Sequence, residues 1–241
     1  MSNPVLTRTF DTERPQWLDE STLTTRSTTT MTMEGAVNKT VFLFGLLAVT
    51  ATATWLFNAV GLLLPAFLVA LPLGLWAAFS RKVRPAVMMA YAALEGVVLA
   101  ALTLVFEVSY PGIAVQAVSA TLLTSGLIFV AYTQRWVRVT SKMRQFFMFA
   151  VLGYVAFGLI NLLFSFGGNS IYNTQFGWMV GLVGVGLASF SLLTDFADIE
   201  EGARAGAPQE YEWRAAFGLI VTLVWMYTEI LRLIAILRGR D

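Results

Sequence analysis

Four acidic side chains lie inside or at the ends of long apolar stretches: Glu95, Asp195, Asp198 and Glu229, the last with Arg232 three residues on. An ionisable group at bilayer depth costs roughly 3 kcal/mol on insertion scales unless it faces a partner or a wet cavity, so each is a candidate for function. Two chemistries are open to them. A pair of carboxyl groups in one low-dielectric site cannot both ionise cheaply, so they would share a proton, holding two helices together when protonated and parting when ionised. In the ionised form they offer the oxygen ligands that Ca²⁺ takes. Each also has a plainer reading. Glu229 and Arg232 share a helix face and could neutralise one another; Asp195 and Asp198 could mark a helix exit beside the solvated Glu200 and Glu201; Glu95 could be a protonated structural acid.

Composition narrows the chemistry further. With no Cys and no His, the chain cannot hold an iron–sulfur cluster, a thiolate or imidazole zinc site, or a Cys or His catalytic centre. No Gly-x-Gly-Asp context for an intramembrane aspartyl protease is present, since Gly184-Val185-Gly186 continues with Leu187. Lys is absent from every apolar run, which removes a Ser–Lys dyad. No enzymatic role and no tightly bound cofactor are expected. Basic and acidic residues number 16 and 15, so no polyanion attraction, and no nucleic-acid partner, follows. The expected partners are the lipid bilayer, Ca²⁺ and protons.

The elements that must position these acids follow from hydropathy. Apolar residues make up 57% of the 241-residue chain and charged ones only 13%, about half the share of a soluble domain. Seven apolar runs, at 41–57, 62–79, 85–106, 112–132, 146–166, 177–193 and 215–237, match the ~20 residues that a helix needs to cross ~30 Å of hydrocarbon. The runs are continuous rather than alternating, which predicts helices and an all-α polytopic membrane protein of seven transmembrane helices. Residues 1–40 read as a flexible, Ser/Thr-rich cytoplasmic tail and 41–241 as the seven-helix membrane domain.

Helical spacing then orients the polar side chains. Gly177, Gly181, Gly184, Ala188, Ser191, Asp195 and Asp198 form one stripe of the sixth run; Gly218, Thr222, Trp225, Glu229 and Arg232 form one of the seventh. Small residues on the sixth stripe invite close helix approach. Nine basic residues lie in the breaks after runs two, four and six, among them Arg81, Arg84, Arg135 and Arg144, and none in the breaks after one, three and five. The positive-inside rule therefore puts the amino terminus and the basic breaks in the cytoplasm. Arg238 and Arg240 then fall on the far face, so two topologies stay open: seven full crossings, which we prefer, or a last segment that dips in and returns. Counted from residue 215, Glu229 lies roughly 21 Å deep, too far for straight helices to bring it to an Asp195 at the end of the sixth. A seventh helix that enters the membrane later, or a sixth that ends deep beside a wet vestibule, would shorten the gap.

The stretches at residues 194–201 (TDFADIEE) and 227–233 (YTEILRL), with Tyr91 to Gly96 (YAALEG) in the third run, resemble the Bax inhibitor family, also called the transmembrane Bax inhibitor motif proteins. Residues 31–40 (MTMEGAVNKT) look like bacterial members, which implies a bacterial cytoplasmic membrane. The resemblance implies that the last helix is surrounded by the other six. It also implies a pH-sensitive calcium leak governed by an acid pair, here Asp195 and Glu229, which share a proton and could ligate Ca²⁺. An arginine near the second helix, Arg81 or Arg84, would assist; Asp198, Glu95 and Arg232 would line or support the path. Glu229 stands where the family has Asp, one methylene longer. A proton-coupled cation exchanger and a non-conducting stress-response interaction protein are the alternatives.

Overall fold

The computed structural model describes residues 29–165, 171–174 and 176–239. It contains seven helices long and apolar enough to cross a membrane: α1 (Met33–Leu56), α2 (Leu63–Phe79), α3 (Pro85–Ser109), α4 (Ile113–Thr133), α5 (Ser141–Ser165), α6 (Gly177–Arg204) and α7 (Tyr211–Arg238). Local chemistry sets the boundaries. Asn58, in the left-handed region at φ 50°, ends α1, and a 3₁₀ turn at Val60–Leu62 completes the tight hairpin into α2. Pro85 opens α3 at a position where its missing N–H costs nothing. Gly112 at φ 82° turns α3 into α4.

Two boundaries differ from the sequence reading. First, α1 begins at Met33, so residues 33–40 belong to a helix rather than to the tail. The Thr32 hydroxyl caps it by accepting from Gly35 N at 2.9 Å, and the chain before it is tied down. Met31 N donates to the Ala207 carbonyl at 2.7 Å, and Gln209 N to that of Thr29 at 3.2 Å. The remainder of the expected tail, residues 1–28, lies outside the described residues. Second, α6 continues to Arg204 and α7 starts at Tyr211, each beyond its apolar run, because polar residues at a membrane surface extend a helix without needing lipid.

Helices α3 and α7 form the centre. One core cluster joins Leu43 and Leu47 of α1, Met88 and Tyr91 of α3, and Phe217 and Ile220 of α7. A second joins Ala188 and Leu192 of α6 to Leu219, Met226 and Ile230 of α7. Thus α7 packs mainly on α1, α3, α4 and α6, while α2 lies outside against α3. The enclosure expected from six helices is carried by four. Helix α5 has no buried residue; it reaches α7 through the rings of Tyr154 and Trp225, whose centroids are 6.1 Å apart. Leu64, Leu68, Leu123, Leu127, Phe146 and Leu163 are exposed on the outer faces, the surface a bilayer would cover.

The last helix runs from one end of the bundle to the other. At one end Glu212 meets Lys39 and Thr32 at the start of α1; at the other, Arg238 donates to the carbonyls of Tyr110 (3.3 Å) and Pro111 (3.0 Å) in the α3–α4 turn. This end-to-end geometry overturns the dipping alternative. It also gives Arg238 a carbonyl partner on the face where a free charge seemed out of place.

Candidate functional site

Antiparallel packing of α6 on α7 fixes the level of each acid. The small-residue stripe of α6 faces α7: a Cβ added at Gly181 would lie 3.2 Å from Leu233 Cδ1, and one at Gly184 would lie 2.6 Å from Glu229 Oε2. Ser191 meets Thr222 at 3.4 Å, and Thr222 Oγ1 donates to Asp195 Oδ2 at 2.6 Å. Asp195 is therefore level with Thr222, more than two turns inside α6 rather than at its end. Glu229 lies seven residues further along α7, about 10 Å of rise. The shared-proton contact between Asp195 and Glu229 that the resemblance implied is not formed. Each acid has another partner because the register places Thr222, not Glu229, opposite Asp195.

Glu229 is 3% exposed, the deepest of the four candidate acids. Trp225 Nε1 donates to its Oε1 at 3.2 Å, and Arg232 NH1 lies 3.3 and 3.2 Å from the two carboxylate oxygens. The room for this carboxylate comes from Gly184, whose missing Cβ would meet both Glu229 and the Tyr154 hydroxyl. Arg232 NH1 also donates to the Tyr172 hydroxyl at 3.2 Å, with the guanidinium 4.6 Å over that ring. Glu229, Arg232, Trp225, Tyr154, Tyr172 and Asn161 line a cavity of about 620 Å³ between α5 and α7.

Asp198 turns away from this seam. It forms an ion pair with Arg144 of α5, whose second nitrogen is 3.8 Å from Glu201, and these three line another cavity of about 830 Å³ with Ser191 and Thr194. Val151 of α5 lines both cavities, so the two lie end to end along the cleft that α5 leaves beside α6 and α7. Glu200 is bound by Tyr132 and Arg204, with Arg135 at 4.0 Å. Arginines of three elements thus offset the acids that crowd the negative end of the α6 dipole. A larger groove, about 900 Å³ between α1 and α4, is lined by Val41, Phe44, Leu122 and Val224 and holds none of the candidate acids.

The other expected residues stand apart. Glu95 is partly buried on α3 with Tyr91, one turn earlier, as its hydrogen-bond partner, and it lines neither polar cavity. Gly96 beside it marks the closest approach of α1, as expected: a Cβ there would fall 2.2 Å from the Leu47 carbonyl oxygen. Arg84 stacks on Trp76 at 4.6 Å, and the Arg81 carbonyl accepts from Arg214. Among the described residues, neither Arg81 nor Arg84 pairs with an acid; the arginines that meet candidate acids are Arg144 and Arg232. No group of three or more acidic side chains that could hold a metal occurs among the described residues.

The family model described as Bax inhibitor 1 like matches residues 3–239, nearly the whole chain. The chain belongs to that family. None of the curated proteins matches it. Membership in the Bax inhibitor 1 like family and seven apolar helices together make it an integral membrane protein.

Sequence reasoning missed three participants. Tyr154 and Asn161 sit within an apolar run and carry no charge to single them out; Tyr172 lies in the break before α6. Their signal was polar tips recurring along α5, at 154 and 161, two turns apart on one face. Glu212 was missed because it precedes the seventh apolar run. It is 1% exposed, receives Lys39 Nζ, Thr32 N (2.9 Å) and Thr32 Oγ1 (3.1 Å), and seals the basic end of the bundle.

Proposed function

We propose that this Bax inhibitor 1 like chain is a pH-sensitive cation leak, with Ca²⁺ the cation it passes, and that the route is the cleft between α5 and the α6–α7 hairpin. One observation carries the reading: a buried carboxylate, Glu229, faces a polar cavity of about 620 Å³ that shares Val151 with a second polar cavity at the basic end. A carboxylate kept from solvent is retained at such depth when it serves a substrate path or a charge partner. The negative charge of the Glu229 carboxylate attracts a cation into the cavity; the pH sensitivity of the leak is what the family resemblance implies. Asp195, bonded to Thr222, holds α6 to α7 at the level of the basic cavity. Asp198, Glu201 and Arg144 line the basic cavity. The amino terminus and the basic loops face the cytoplasm on this reading, following the positive-inside rule.

Arg232 favours one rival, in which Glu229 is only neutralised and the protein works through partners. Ca²⁺ flux into vesicles of reconstituted protein, followed from acid to alkaline pH, separates them. A leak through Glu229 predicts that Glu229→Gln lowers flux about tenfold or more and flattens its pH dependence. Equal flux and pH profile in variant and wild type remove the reading, and a wild-type chain that moves no ions points to the partner role.

A further inference from the structure

Arg232 and Glu229 occupy different depths of one cavity. The Glu229 side chain is 4% exposed and that of Arg232 36%, so within the cavity the guanidinium is the more accessible member of the pair. Their pairing uses one nitrogen: NH1 straddles both carboxylate oxygens at 3.2 and 3.3 Å, rather than two nitrogens forming a parallel fork. A single-nitrogen contact lacks the geometric hold of a bidentate pair and is easier to displace. A second resting place is already occupied in part, since the same NH1 donates to the Tyr172 hydroxyl and the guanidinium lies 4.6 Å over its ring. The positive charge can leave the carboxylate without entering hydrocarbon, because an aromatic face accepts a cation.

We propose that Arg232 is a tethered cation that competes with the permeating ion for Glu229 and makes the site select divalent over monovalent cations. This rests on the leak reading above. At equal distance a divalent ion is drawn to a carboxylate twice as strongly as a guanidinium, whereas a monovalent ion has no such advantage over a charge already in place. Ca²⁺ displaces Arg232 toward Tyr172 and passes; Na⁺ and K⁺ do not.

The test measures Na⁺ and Ca²⁺ flux in vesicles together with equilibrium ⁴⁵Ca²⁺ binding to purified protein. Arg232→Ala is expected to raise Na⁺ flux and to tighten Ca²⁺ binding, each about tenfold, the loss of one charge-assisted hydrogen bond. Arg232→Lys keeps a charge on the tether and is expected to keep most of the discrimination. Free guanidinium at millimolar concentration, added to Arg232→Ala, should restore the block, an effect that repair of a purely structural defect would not give. If Arg232→Ala binds Ca²⁺ and passes Na⁺ as the wild type does, the proposal is overturned; guanidinium without effect on a folded Arg232→Ala overturns it as well. Should Arg232→Ala fail to fold, the Ca²⁺ to Na⁺ flux ratio of Arg232→Lys decides: a ratio near that of the wild type supports the tether, and loss of selectivity overturns it. Tighter Ca²⁺ binding in Arg232→Ala with no flux in any variant would keep the competition and reject the leak.

Discussion

Glu212 is the least exposed charge among the described residues, and three donors converge on it from the start of α1. The Lys39 side chain is 20% exposed and lies 5.6 Å from the Trp213 ring, so its ammonium keeps access to water while Glu212 does not. The two partners are therefore unequal. Lys39→Met strands a buried carboxylate and is expected to cost about 3 kcal/mol. Glu212→Gln leaves an amide that still accepts from Thr32 and is expected to cost nearer 1 kcal/mol. Thermal unfolding in detergent checks the order, and equal midpoints for the two variants would contradict it. Neither effect was legible in the sequence, where Glu212 reads as a solvated loop residue. The depth of Glu229 was legible, because it lies well inside the apolar run 215–237. Its partner Trp225 was visible from spacing, but Tyr154 and Tyr172 were not, because they come from elements whose position sequence does not give.

At the scale of helices, all seven were legible from apolar runs matched to bilayer thickness, and the facing stripes of α6 and α7 from the helical period. What sequence could not give was the vertical register between them. The apolar runs stop where lipid stops, whereas α6 runs on to Arg204 and α7 begins at Tyr211, so counting from the edge of a run misplaces Asp195 against its neighbour. Two glycines separate packing from function. At Gly96 an added methyl meets the Leu47 backbone carbonyl, which cannot rotate away, so Gly96→Ala is expected to push α1 from α3 and cost about 2 kcal/mol. At Gly184 the methyl meets only the ends of Glu229 and Tyr154, which can turn aside. Gly184→Ala is expected to change stability by less than about 1 kcal/mol while altering flux, since it moves the carboxylate without removing it. Parallel unfolding and vesicle-flux measurements check both; a Gly184→Ala protein with wild-type flux would argue against Glu229 as the site of passage.

For the whole molecule, charge asymmetry was legible and so was the number of crossings; the fate of the last helix was not, because Arg238 finds its partners only in the α3–α4 turn. The two ends of α7 are fastened at opposite ends of the bundle, which is the geometry of a full crossing. A chain without Cys allows a direct check on sidedness. Single substitutions Arg138→Cys, Val108→Cys and Arg238→Cys in intact cells should divide under a membrane-impermeant thiol reagent. Val108→Cys and Arg238→Cys are expected to react from outside, and Arg138→Cys only after the cells are opened. Reaction of Arg138→Cys and Arg238→Cys from the same side would contradict a full crossing.

The bond between Glu212 and Lys39 also has a place in time. The ribosome releases α1 first and α7 last, and the two partners stand 173 positions apart in the chain, so the lysine waits through the synthesis of five intervening helices before its carboxylate arrives. Until then the faces of α1, α3, α4 and α6 that will meet α7 have only lipid or an insertion factor to cover them. Closure of this bond marks the end of assembly in the bilayer. A chain cut short before α7 would present an orphan ammonium and uncovered helix faces to the machinery that removes unfinished membrane proteins.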